Sequence, residues 1–236
     1  MKFFRKLRQT LISEGHLKKY LFYAIGEILL VMIGILLAFQ VNNWNTNRIK
    51  RNTELTYYKN FKDQVLDDKR TIEDLMEMNN FNMAQYEYAS QIIESNDRNK
   101  LDTLGYIALR LTKYSDFDQQ GNIYESMINS GEIKQLNNFK IIEGLRKLGE
   151  TYIYINRMEN IHFDFIIQFI VPPLQKTIRL STNQVEKPEQ LYSYEFQNLI
   201  FLSIRIMREK DEIYHRAINE IDAITKLIEE EIKVDY

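Results

Sequence analysis

Residues Leu21–Val41 read LFYAIGEILLVMIGILLAFQV. At about 1.5 Å of helical rise per residue, a run of this length crosses a bilayer core of about 30 Å. It is therefore read as a transmembrane helix, placed at residues 20–44 with its polar edges. A cleaved signal peptide fits less well, because Gln40-Val41-Asn42-Asn43-Trp44 offers no small-residue cleavage pattern. Trp44 suits a membrane interface, where an amphipathic indole is at home. The segment reads as an uncleaved signal anchor.

Glu27 is the one formally charged residue of the span. A carboxylate at the middle of a membrane helix costs roughly 2.5–3.5 kcal/mol, and less near the interface. Glu27 lies near one end of the span, so it reads either as a shallow group that snorkels or takes up a proton, or as a hydrogen-bonding or proton-handling group between helices. Gly26, Gly34 and Ala38 bear on that choice, because Gly34-x-x-x-Ala38 is a small-xxx-small pair that lets two helices approach closely. Beside a carboxylate in want of a partner, the pair favours self-association.

Before the span, Lys2, Arg5, Lys6, Arg8, Lys18 and Lys19 stand against the single acid Glu14. The positive-inside rule places this end in the cytoplasm and the bulk of the chain in the periplasm of a bacterial inner membrane. Phe3, Phe4, Leu7 and Leu11 alternate with the cations at helical spacing, so residues 1–19 read as an amphipathic segment lying on anionic lipid headgroups. The bilayer is thus one expected partner. The whole-chain charge of −2, less the +5 before the span and the −1 of Glu27, leaves −6 beyond it, which argues against nucleic acid, and the absence of cysteine excludes disulfides and thiolate chemistry.

The remaining residues, 45–236, read as one all-α periplasmic domain fed by a long stalk helix. No proline or glycine falls between Asn45 and Ser95, and Tyr58, Val65, Ile72, Asn79, Tyr86 and Ile93 recur in heptad steps as a buried stripe. A polar turn at Ser95–Lys100 leads to a helix over Thr103–Tyr114, with Leu104, Ile107, Ala108 and Leu111 inward. Gly121 or Asn122 is expected to cap a short helix that stops at Ser130-Gly131. A second long helix is expected over Asn138–Val171, with Ile141, Leu145, Leu148, Tyr152, Ile155, Ile166 and Phe169 on one face, broken or kinked at Pro172-Pro173. The last helix, about Tyr192–Lys233, carries the stripe Leu202, Ile206, Ile213, Ala217, Ile221, Ile224 and Ile228. Nothing alternates with period two for long enough to call for a strand.

One pattern carries metal-binding potential. Glu159-x-x-His162 and Glu212-x-x-His215 are both Glu-x-x-His, the motif that helical di-iron bundles project inward from two helices. Heptad steps from Leu145 and Leu148 bring Glu159 and His162 onto the core face, whereas Glu212 and His215 fall off the Ile213 stripe. The pairing is therefore a metal-bundle alternative rather than the main reading, and no cofactor is expected. No nucleophile motif, phosphate-binding glycine loop or acidic cluster suited to magnesium occurs, so no enzymatic activity is expected.

The stretch YAIGEILLVMIGILLAFQVNNWN, with the later YESMINSGEIKQLNN, resembles a family of uncharacterised single-span proteins common in Bacteroidota. The resemblance implies a cell-envelope membrane protein with a helical extracytoplasmic domain, and it supplies no catalytic residues. Residues and resemblance together predict a single-pass inner-membrane protein that forms a homo-oligomer and serves as a structural or interaction component of an envelope assembly, with another envelope protein as a further partner. An ion channel or proton-handling subunit built around Glu27 is the alternative.

Overall fold

A computed structural model describes residues 17–118 and 123–233. The protein is all-α. Helix α1, Leu17–Glu94, runs unbroken through both the apolar stretch and the heptad stripe. Beyond Gly34 it contains neither glycine nor proline, so nothing interrupts its hydrogen-bond ladder. It ends where Asn96 turns left-handed at φ 49°, with the Asp97 N–H donating to the Ile92 carbonyl and the Asn96 N–H to that of Ile93. This is a Schellman stop, and it satisfies carbonyls that the helix end would orphan.

The chain divides into two compact units, Met1–Glu54 and Leu55–Tyr236. In the first, every residue from Ile28 to Lys50 is exposed. Among the described residues, α1 is the one helix long and apolar enough to cross a membrane, and none of its apolar window is buried.

In the second unit, a 3-10 turn at Arg98–Lys100, capped by the Asp97 carboxylate, opens α2, Leu101–Arg110. Helix α2 stops short of the expected Tyr114, and the Thr112 hydroxyl donates to the Leu109 carbonyl, offering the backbone a local alternative to the helical ladder. Helix α3, Ile123–Ser130, ends at Gly131, whose φ of +75° favours glycine. The caps expected at Gly121 or Asn122 lie outside the described residues. Helix α4, Phe139–Phe165, starts at Asn138, whose side chain accepts from the Lys140 and Ile141 N–H groups.

Of the break or kink expected at Pro172-Pro173, the break does not occur, although the regular α-helix gives way just before the prolines. The chain passes through a π-helical turn, Ile166–Ile170, into α5, Val171–Thr177, with the prolines in the first turn of α5. Early helical positions tolerate proline because their N–H groups need no partner within that helix, and the wider π turn accommodates the rings. The extra residue of the π turn also shifts the helical face. Ile166 stays buried, but Phe169 is exposed and Ile170 takes its place inside.

A small antiparallel hairpin, β1 Ile178–Arg179 and β2 Gln184–Val185, pairs Ile178 with Val185 and Arg179 with Gln184. These strands are too short for a period-two signal to show. The one-turn helix α6, Pro188–Leu191, precedes α7, Tyr194–Lys233.

Helices α4 and α7 lie against each other, and a Cβ placed on Gly144 would meet Ile224 Cγ1 at 2.8 Å. Two apolar cores result. One gathers Tyr58, Phe61, Val65 and Ile72 from α1, Ile141 to Met158 from α4 and Ile213 to Ile228 from α7. The other gathers Tyr86 to Ile93 from α1, α2, the π turn, α5 and the first half of α7 up to Met207. The expected stripe holds in the second half of α7 but not in the first, where Leu202 is exposed and Ile200, Ile204 and Met207 are buried. Heptad steps back from Ile228 through Ile221 and Tyr214 reach Met207 and Ile200, all buried, so Leu202 and Ile206 stand beside the core-facing frame rather than on it.

Candidate functional site

Between the two cores the same helices bury polar groups at one level. On α4, Glu159 and His162 fall between Met158 of one core and Ile166 of the other, and on α7, Lys210 falls between Met207 and Ile213. At the corresponding level of α1, between Ile72 and Tyr86, Asn79 and Asn82 are buried as well. The Asn79 amide donates to the Met207 carbonyl at 2.9 Å, and the Asn82 oxygen accepts from Arg110 Nη2 at 2.6 Å.

The centre of this layer is a directed chain of donors. The Lys210 ammonium donates to Ser115 Oγ, which lies 2.8 Å from the Tyr214 hydroxyl. Tyr214 donates in turn to Glu159 Oε1 at 2.7 Å, and Glu159 Oε2 accepts the Phe117 N–H at 2.8 Å. A cation and a carboxylate are thus joined through two hydroxyls. His162 Nδ1 lies 3.5 Å from Lys210 Nζ. An ammonium has no lone pair to offer, so Nδ1 must be the acceptor and the imidazole proton sits on Nε2.

Burial sets the protonation of these groups. Desolvation pushes Lys210 down to about 8, with the Glu159 carboxylate pulling the other way. Desolvation first and the Lys210 charge second push His162 down to about 3, so it is neutral in the folded protein near pH 7. Tyr214 is raised, chiefly by desolvation and then by the Glu159 charge, and stays a donor. Burying a charge is costly unless it is paired and hydrogen-bonded, and this chain meets that condition at both ends.

An amine close to neutrality beside a serine hydroxyl is the kind of pair that proton transfer requires. Ser115 and Lys210 are only 3% and 2% exposed, however, so neither is presented to solvent. Asp116, Phe117, Asp118, Asn156, Glu159 and Asn160 line a polar cavity of about 380 Å³ on the carboxylate side.

Of the residues singled out in the sequence, the structure brings Glu159 and His162 together and leaves Glu212 and His215 outside, both exposed. His215 faces Asp211 on its own helix at 3.5 Å. The four do not converge, and no group of three or more His, Cys, Asp or Glu able to hold a metal occurs among the described residues. Gly26, Gly34 and Ala38 are exposed on α1 and Glu27 is half-buried. Lys18 and Lys19 lie in the first turn of α1. Lys2, Arg5, Lys6 and Arg8 lie outside the described residues.

Ser115, Lys210 and Tyr214 carry no recognisable motif. Lys210 nevertheless stands in heptad register with Ala217 and Ile224, and a lysine on an apolar stripe is a legible signal. Ser115 gave none, because only the tertiary fold brings the segment after α2 onto α4 and α7.

The family described as "Family of unknown function (DUF6090)" matches residues 27–204. The chain belongs to that family. No curated protein and no solved structure matches it. The DUF6090 match includes Glu27, Gly34, Ala38, Ser115, Glu159 and His162, and it ends before Lys210 and Tyr214.

Proposed function

We propose that this protein is a single-pass bacterial inner-membrane protein whose helical domain stands in the periplasm and serves as a self-associating structural or interaction component of an envelope assembly. The observation that carries the reading is the uncovered apolar run of α1, where every residue from Ile28 to Val41 is exposed. Soluble proteins rarely leave more than a few hundred Å² of contiguous apolar surface bare, and a lipid bilayer is the cover such a helix fits. The cations before the run support a cytoplasmic N-terminus. Self-association is supported by Gly34, where an added Cβ would meet nothing within 4 Å, so the backbone there is open to close approach by a second helix. A domain whose polar groups are spent on one another inside the core suits a scaffold better than a substrate site.

Two measurements test this. The chain has no cysteine, so a single cysteine at Tyr194 or at Thr10 reports topology through an impermeant maleimide. Labelling at 194 but not at 10 in spheroplasts is expected, and the reverse pattern would invert the orientation. The mass of the nanodisc-embedded protein, wild type beside Glu27→Ala, tests assembly. A defined oligomer that the substitution weakens is expected, whereas a monomer in both cases would remove self-association through the span.

A further inference from the structure

The segment between α2 and α3 turns Ser115 and Phe117 inward and Asp116 and Asp118 outward. It is held at two points by the two ends of one charge-bearing chain, Ser115 Oγ by Lys210 of α7 and the Phe117 N–H by Glu159 of α4. Phe117 is also seated on Tyr152, with ring centroids 5.0 Å apart. Both anchors share the buried layer with the His162 imidazole, which lies 3.5 Å from the Lys210 ammonium. Protonation of that imidazole in place would set two cations side by side in a site only 1% and 2% exposed.

We propose that Ser115–Phe117 is an acid-released strap, held on α4 and α7 while His162 is neutral and let go when His162 takes up a proton and must reach solvent. This inference concerns the unit Leu55–Tyr236 alone and does not rest on the membrane assignment.

Lys210 is the charge that acts on His162, and the other titratable groups of the layer come from α7, α4 and the strap. Helix α7 supplies Lys210 and Tyr214, with Asp211 near enough to raise Tyr214. Its own helix supplies Glu159, which already accepts from Tyr214 and Phe117. The strap contributes the Ser115 hydroxyl, and its Asp116 and Asp118 share the polar cavity with Glu159. The next acids, Asp68 of α1 and Glu220 of α7, act on Tyr152. The Lys210 charge opposes a second cation at His162.

Opening gains from acid because His162 binds protons less tightly in the closed site than in water, where a histidine titrates near 6.5. The opening constant should therefore rise roughly tenfold for each pH unit below about 6.5. Lys210 acts in the same direction at higher pH, since it too holds its proton less tightly when buried.

The test uses the full chain in nanodiscs, with a trifluoromethyl tag on Asp116→Cys and, separately, on Tyr194→Cys at the start of α7. From about pH 7.5 to about pH 4.5 the tag at 116 should pass to a second, solvent-like signal while the tag at 194 stays put. His162→Gln, a neutral side chain, should flatten the change at 116. Carbon-13-labelled histidine provides an independent readout if that variant does not fold. Of the three histidines, one should titrate only together with release of the strap. A flat signal at 116, an unchanged response in His162→Gln, both tags moving together as in global unfolding, or three histidines all titrating near 6.5 without strap movement would each overturn the proposal.

Discussion

The two apolar cores and the polar layer between them are built from the same helices at the same spacing, yet they specify the fold in different ways. On α1, heptad steps from Tyr58 reach Val65, Ile72, Asn79, Tyr86 and Ile93, all buried, and the single polar member falls at the level of the layer. On α7 the steps Ser203, Lys210, Ala217 and Ile224 are likewise all buried. An apolar side chain is content against many neighbours, each fully buried one contributing about 1.5–3 kcal/mol wherever it packs. Lys210 and Glu159 tolerate one partner set only, because an unpaired charge in the core is costly. The difference teaches that the cores supply stability, while the layer penalises sliding of α7 along α4.

The sharpest way to break this comparison is Glu159→Ala. Leaving the Lys210 charge buried and uncompensated should cost about 3–5 kcal/mol, at the upper end of what Ile155→Ala in the neighbouring core would cost. In denaturant unfolding, the double replacement Glu159→Leu with Lys210→Met should recover most of that loss. An additive double variant would mean that the two charges are not coupled.

The pH dependence sharpens the contrast. His162 titrates at about 3 when folded and near 6.5 when free, so between those values the unfolded chain binds more protons. Stability is therefore fully present above about pH 6.5 and falls with acid toward pH 3, by up to roughly 1.4 kcal/mol per pH unit. His162→Gln should flatten that slope in thermal melts, whereas Ile155→Ala should lower the whole curve without changing its shape. Lys210 is also depressed, from 10.5 to about 8, so its contribution rises with pH between those values.

Smaller effects probe the flanks. Gly144→Ala pushes a Cβ to 2.8 Å from Ile224 at the α4–α7 contact and should cost about 1–3 kcal/mol, read as a lower denaturation midpoint. Least of all should be Glu189→Gln. It removes an exposed pair in which Arg98 Nη1 and Nη2 reach the carboxylate at 2.8 and 2.9 Å, worth about 0.2–1 kcal/mol. A larger loss there would place stability at the surface rather than in the cores.

The apolar parts of the fold were legible because burial repeats at the helical period. The stripe of α1, the inward face of α2 and the face of α4 stand where spacing put them, down to Glu159 and His162 on the core face. Legibility failed where the period changed. The π turn exchanged Phe169 for Ile170, Leu202 sits beside the frame that buries Ile200 and Ile204, and the hairpin at Ile178–Val185 is shorter than any alternation can reveal.

By itself the sequence determined the helical class, the apolar run and most core positions, since each depends on residues a few places apart on one helix. The tertiary structure alone decided that Ser115, Glu159, Lys210 and Tyr214 form one chain of hydrogen bonds. Those residues lie on segments up to 99 positions apart. Their pairing follows from how α4 and α7 pass each other, and no local spacing encodes it.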